Sequence, residues 1–446
     1  MIDSSPLTAY TRRDMLRGSA ALGAGAVLTA SPFASLAFAQ ADPAAEWPQI
    51  AHLVRWNVEQ RRVAGVVAAM GWQQRDPQFI SAGKRTFDGN DAAGPDTLWR
   101  IYSMTKPVTG IATMLCVEDG LLELDQPLHD ILPAFRNMQV QKRYDGPITA
   151  DNLAPATRDI TIRHLLTHTS GLGYSIIQNG PIKQAYGRAG LVPFSVSRMA
   201  LAQDLMGGTP TDSLADFADG LAEMALVYQP GTRWSYSVGL DLLGRVIEVV
   251  SGQSFDDFLQ RRIFAPCGMD STFFRVPRSQ ASRLAANYFV MGGLPLPIDL
   301  PGSSVFLDEP AFPFGGAGLV SSARDYDRFL QMLAGWGTID GTQVMAEATA
   351  RLAMSDLFPD TLAADGGFTR GSRRFGFGAG GLVGNGEAAG LFGWFGAAGT
   401  VGLVNTNVGL RQTLMTQYMP AEEYDLQQLF AERASQDAAR ILAAAS

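Results

Sequence analysis

Trp99-Arg100-Ile101-Tyr102-Ser103-Met104-Thr105-Lys106-Pro107-Val108-Thr109-Gly110 sets a serine and a lysine three residues apart at the head of an apolar run. Beyond Lys106, Ile111, Met114 and Leu115 recur at three-to-four spacing until Asp119-Gly120, a natural helix stop. Residues three apart share a helix face, so Lys106 falls within reach of the Ser103 hydroxyl. Pro107 fits a first turn and would break a later one. A serine at a helix N-terminus faces free backbone N–H groups that favour developing negative charge. A desolvated lysine can then help to take the serine proton. Alone, Ser-x-x-Lys also recurs by chance, as a helix cap beside a surface lysine.

Outward from this stretch, residues 47–62 read as an amphipathic helix. Residues 63–70 read as a strand, with Gln78-Phe79-Ile80-Ser81-Ala82-Gly83 as its hairpin partner. From about 145 to 305 helical patterns dominate, broken by Gly and Pro loops. Beyond Gly315 strand-like runs return at Phe375-Gly376-Phe377-Gly378-Ala379, Leu391-Phe392-Gly393-Trp394, Thr400-Val401-Gly402-Leu403-Val404 and Gln412-Thr413-Leu414-Met415, and residues 421–445 suit a final helix. Strands at both ends with helices between predict an α/β (α+β) fold, an antiparallel sheet flanked by helices with a mostly helical insertion. The expected segments are 40–145 and 311–446 for the α/β domain and 146–310 for the helical one.

The 446 residues carry 46% hydrophobic and 17% charged side chains and a formal charge of -8, globular values that speak against a standing nucleic-acid or anionic-membrane partner. Residues 1–39 read as an export signal. Arg12-Arg13 precede a weakly apolar Ala/Gly run, and Ala37-Phe38-Ala39 supplies a small-x-small cleavage pattern. A periplasmic or secreted mature chain with no stable membrane span is the expectation. Two cysteines are too few for a disulfide scaffold; Cys116, in an apolar run, reads as a buried inert thiol, and a pairing with Cys267 stays open. His164 and His168 lie four apart, but Leu165 stands where a zincin needs Glu, so His168 reads as a structural hydrogen-bonder and no metal site is expected. No Gly-x-Ser-x-Gly elbow, phosphate loop or dinucleotide fingerprint occurs.

Five further blocks follow in order: Glu118-Asp119-Gly120-Leu121-Leu122-Glu123-Leu124-Asp125-Gln126-Pro127; Thr161-Ile162-Arg163-His164-Leu165-Leu166-Thr167-His168-Thr169-Ser170-Gly171-Leu172; Pro230-Gly231-Thr232-Arg233-Trp234-Ser235-Tyr236-Ser237; Gly315-Gly316-Ala317-Gly318-Leu319-Val320-Ser321-Ser322; and Phe392-Gly393-Trp394-Phe395-Gly396-Ala397-Ala398-Gly399-Thr400. With the Ser103 stretch they resemble the serine β-lactamase-like superfamily over most of the chain after residue 45, nearest the class C branch with its family VIII carboxylesterases. The resemblance implies a β-lactamase/transpeptidase-like fold, Ser103 as nucleophile and Lys106 as its proton-accepting neighbour. It also implies that Tyr236 protonates the leaving group and later activates water, and that the N–H groups of Ser103 and Ala397 form the oxyanion hole.

Two departures narrow the expectation. Relatives that cleave penicillins or peptidoglycan carry Asn two positions after the tyrosine, where Val238 stands here. Their third motif opens with a Lys that draws the substrate carboxylate; here Trp394 opens Trp394-Phe395-Gly396, as in the esterase branch, with Phe395 bulkier than the small residue expected there. Trp394, Phe395, Gly396 and Ala397 are thus the expected substrate contacts. The predicted reaction is hydrolysis of a small, uncharged, short-chain carboxylic ester through a Ser103 acyl-enzyme, without a cofactor. A β-lactamase, a D-amino-acid amidase or peptidase, an acyltransferase and a non-catalytic scaffold protein are the alternatives.

Overall fold

The computed structural model describes residues 42–199, 208–362 and 375–445; the predicted export signal lies outside them. Its centre is a seven-stranded antiparallel sheet. The strands are β1 (Gly65–Trp72), β2 (Gln78–Gly83), β3 (Phe375–Phe377), β4 (Leu382–Gly384), β5 (Leu391–Phe395), β6 (Val401–Asn405) and β7 (Leu410–Met415). Their spatial order is β3-β4-β5-β6-β7-β1-β2. The first and last thirds of the chain therefore meet at the β7–β1 pair, registered from Val67 opposite Met415 to Trp72 opposite Leu410. Gly65 to Gly71 of β1 and all of β7 are buried, because helices cover both faces, and such strands read as unbroken apolar runs.

The helices used below are α1 (Pro48–Glu59), α2 (Thr105–Glu118), α3 (Ile162–Leu166), α4 (Gly239–Ser251), α5 (Ala323–Ala334) and α6 (Leu426–Ala445). Asp437 of α6 accepts the N–H groups of Gln49 and Ile50, which locks the C-terminal helix onto α1. Thr105 to Cys116 of α2 are all buried. A helix apolar all round is an interior helix, and α2 runs through the core with Ser103 at its head.

The sequence placed most of these elements within a few residues. Leu382–Gly384, three residues that follow Gly381 and end on a glycine, carried too little pattern to be read as a strand. Within 146–310 helices dominate, but the segment also holds a hairpin that the pattern did not show, in which Asn287–Met291 pairs antiparallel with Leu294–Asp299. Gly292-Gly293, both at positive φ, form its two-residue turn, and Pro295 and Pro297 had masked the strand alternation. The hairpin is tied to the nucleophile segment. Fully buried Arg100 donates through Nε to Asp299 Oδ2 at 2.8 Å and through Nη1 to Ala285 O at 2.6 Å. Removing either charge would strand the other in the interior, at about 3–5 kcal/mol. Cys116 and Cys267 are free and buried, and burial pushes both thiols up to about 12.

Candidate active site

Ser103 sits in a single tight turn, Tyr102–Met104, that runs directly into α2. Of the residues from 97 to 116, Ser103 alone is not buried. Tyr102 adopts φ +40°, a left-handed conformation that costs a bulky residue about 1–3 kcal/mol and must be held by its surroundings. Asn287 of the hairpin donates to the Tyr102 hydroxyl at 3.0 Å, and the ring meets Phe306 edge-on. Behind the turn, Ile101 N–H bonds Leu319 O at 3.0 Å and Tyr326 of α5 donates to Met104 O at 2.9 Å.

Lys106, the second residue of α2 and three residues on from Ser103, is fully buried. Its Nζ donates to Ser103 Oγ at 3.2 Å and to Gly316 O at 2.6 Å. Tyr236 OH lies 2.8 Å from Ser103 Oγ, and Lys106 Nζ stands 4.6 Å from the centre of the Tyr236 ring. The three groups that the sequence separates by up to 133 positions thus share one hydroxyl oxygen.

Tyr236 is carried by a loop that leads into α4, and the segment after α3 clamps that loop. Ser235 N–H bonds His168 O at 2.9 Å, Gly231 N–H bonds Thr169 O at 2.7 Å, and Ser237 N–H donates to His168 Nδ1 at 3.2 Å. The His168 ring lies 4.6 Å from that of Tyr236. Burial, helped by the Lys106 charge, holds His168 well below its usual range, so it is a neutral acceptor at physiological pH. This is the structural role read from the sequence. Val238 is buried at the N-cap of α4, and its side chain has no polar atom to offer a substrate.

The opposite wall is the end of β5. Trp394 Nε1–H points at the Tyr236 hydroxyl at 3.4 Å, its ring stacked at 6.1 Å, and Phe377 meets it edge-on at 5.2 Å. Phe395 is half-buried beside it. A Cβ on Gly396 would lie 2.4 Å from Ile101 O, which places this turn against the residues just before Ser103. Among the described residues, the N–H groups of Ser103 and Ala397 make no backbone hydrogen bond and are free to serve a ligand. The turn is held from behind by Gln427 of α6, whose Nε2 donates to both Gly396 O and Thr400 O at 2.8 Å.

The structure thus brings Ser103, Lys106, Tyr236 and Trp394 into contact and sets Gly396 against Ile101, with Phe395 and Ala397 on either side of that glycine. Gln427 and Asn287 were missed. Gln427 is one residue in a tail helix and Asn287 one in an unrecognised hairpin, without a local signature. The Gly315-Gly316 pair was visible, but its contact with Lys106 required the fold.

The family model described as Beta-lactamase matches residues 50–435. An uncharacterized protein of Mycobacterium tuberculosis is 35% identical over 298 residues, 67% of this chain and 69% of that one. Esterase EstB of Burkholderia gladioli is 30% identical over 387 residues, 80% of this chain and 87% of its own. The solved structure of EstCE1, titled a hydrolase with promiscuous acyltransferase activity, superposes with a TM-score of 0.70 at 23% identity, covering 88% of this chain and 99% of that one.

Proposed function

The chain belongs to the beta-lactamase family, and we propose that within it this protein is a serine esterase acting on small, uncharged carboxylic esters. The observation that carries this reading is the shared contact at Ser103 Oγ, with Lys106 Nζ at 3.2 Å and Tyr236 OH at 2.8 Å. Ser103 Oγ attacks the ester carbonyl while its proton passes to the Lys106–Tyr236 pair. The carbonyl oxygen takes up negative charge and is met by the N–H groups of Ser103 and Ala397. Tyr236 gives the proton to the departing alkoxide, which leaves as alcohol. Water then attacks the acyl-enzyme, loses a proton to Tyr236 and releases the carboxylic acid and Ser103. Lys106 and the indole N–H of Trp394 both face the charge that develops on the phenolic oxygen.

Neutral substrates are favoured because Trp394 stands where a cation would anchor a carboxylate. Its buried, stacked indole offers apolar surface and one N–H already aimed at Tyr236. The cleft between the sheet-bearing segments and residues 146–310 is the proposed substrate site. Residues 1–39 are proposed to export the chain to the periplasm or beyond, supported by Arg12-Arg13 and Ala37-Phe38-Ala39. Among the described residues no helix is long and apolar enough to cross a membrane.

The test is turnover of a p-nitrophenyl ester series of rising acyl length, of a cephalosporin, and of the best ester with added alcohol. Turnover of short esters with the free acid as product supports the proposal. Faster turnover of the cephalosporin would replace it with a β-lactamase, and ester product in place of acid would replace it with an acyltransferase.

A further inference from the structure

Lys106 does not reach its position through Ser103 alone. Its shorter hydrogen bond runs to the carbonyl of Gly316, at 2.6 Å, and the N–H of that same residue donates to Asp241 Oδ1, also at 2.6 Å. Asp241 lies in the first turn of α4, five residues after Tyr236, and is fully buried. Its second oxygen has no hydrogen-bond partner among the described residues. Gly316 is the residue type this contact demands, because a Cβ there would lie 2.5 Å from Asp241 Oδ2. Gly315 is under the same pressure, its would-be Cβ 2.6 Å from Leu240 O.

We propose that Asp241 is a positioning residue for Lys106. Its carboxyl grips the N–H of Gly316 and so aims the Gly316 carbonyl at Lys106 Nζ, which holds the ammonium against Ser103. Burying a carboxyl with half its acceptor capacity unused is costly, and a position that serves packing alone would hold an apolar residue. Here the cost sits one residue away from the group that anchors the lysine. Burial pushes the Asp241 carboxyl up to about 7, against the opposing pull of Lys106. Lys106, from α2, is the charge that acts on it across the helix contact. Arg245 and Glu248 of α4 itself pair with each other toward the surface. Because Oδ1 accepts from Gly316 in either protonation state, the grip persists across neutral pH, and an asparagine side chain reproduces it.

This inference rests on Lys106 assisting Ser103, and the experiment separates the two. The kcat and KM for a p-nitrophenyl ester are measured for the wild type, Asp241→Asn, Asp241→Leu, Asp241→Ala and Ser103→Ala, with a melting temperature for each. Asp241→Asn keeps an acceptor for Gly316 and is expected to hold kcat within about 3-fold of wild type, the small loss that goes with retained geometry. Asp241→Leu and Asp241→Ala lose the acceptor. Whichever of them folds is expected to lose about 10- to 100-fold in kcat with little change in KM, the range for a misplaced catalytic group. A folded Leu or Ala variant with near-wild-type kcat overturns the proposal while leaving the serine mechanism intact. So does an Asn variant that falls as far as they do. Turnover by Ser103→Ala would instead overturn the function on which the proposal rests.

Discussion

Tyr236 OH and Ser103 Oγ lie 2.8 Å apart, although 133 residues separate them in the chain. One residue opens the central helix, and the other ends a loop fastened to residues 168–173. Neither element alone has chemistry. Their junction, with Lys106 beneath it, gives the partly exposed Ser103 hydroxyl two neighbours that can exchange a proton with it.

Tyr236→Phe removes the phenolic oxygen and keeps the ring that stacks on Trp394 and packs at a tilt against His168. A loss of about 10²–10⁴ in kcat is expected, the usual worth of a positioned proton-transfer group. The melting temperature should move little. Steady-state kinetics with calorimetry check this, and near-wild-type turnover would remove Tyr236 from the mechanism.

Trp394 gives two separable expectations. Trp394→Phe keeps an aromatic wall but deletes the N–H aimed at Tyr236, so kcat should fall about 3- to 10-fold, the worth of one hydrogen bond. Trp394→Lys restores the cation that carboxylated β-lactams require and should tighten their binding. Titration of a cephalosporin into the variant reads this directly, and unchanged affinity would mean that pocket shape excludes them.

Gln427→Ala withdraws the two bonds that fix the 396–400 turn from α6. A mis-aimed Ala397 N–H weakens oxyanion binding, and removal of a whole donor costs about 10²–10³, so a loss of about 10-fold in kcat is expected. KM should change less. Equal and small effects on both would mean that the turn holds its shape without α6.

Asp241 gives stability a pH dependence of definite sign. Its carboxyl rises from the ordinary 3.8 to about 7 on folding. Between those values the folded state holds a proton that the unfolded state has lost, so this group's contribution becomes steadily less favourable as pH rises through the window and levels off above it. Asp241→Asn cannot ionise. It should therefore gain urea midpoint relative to wild type from about pH 4 to about pH 7. A difference that stays constant with pH would contradict the raised value.

Legibility in the sequence followed the physics of each element. The buried strands and α2 announce themselves because a segment covered on all sides is apolar on all sides. The three-residue spacing between Ser103 and Lys106 also carries its own geometry, since a helix turn makes them neighbours. Tyr236, Trp394 and Ala397 could be placed only through the resemblance of whole motifs, because their contacts cross between elements. Leu294-Pro295-Leu296-Pro297 hid a strand by setting prolines where alternation would show. Asp241 and Gln427 act through backbone groups of other segments, and backbone partners leave no trace in side-chain pattern.

Covalent labelling tests the central claim most directly. The intact mass of the wild type and of Ser103→Ala is measured after brief exposure to a fluorophosphonate and to a p-nitrophenyl ester. The expected result is one phosphonyl adduct on the wild type, a transient acyl adduct from the ester, and neither on Ser103→Ala at an unchanged melting temperature. Labelling that survives the loss of Ser103, or an unlabelled wild type that is folded, would contradict the account.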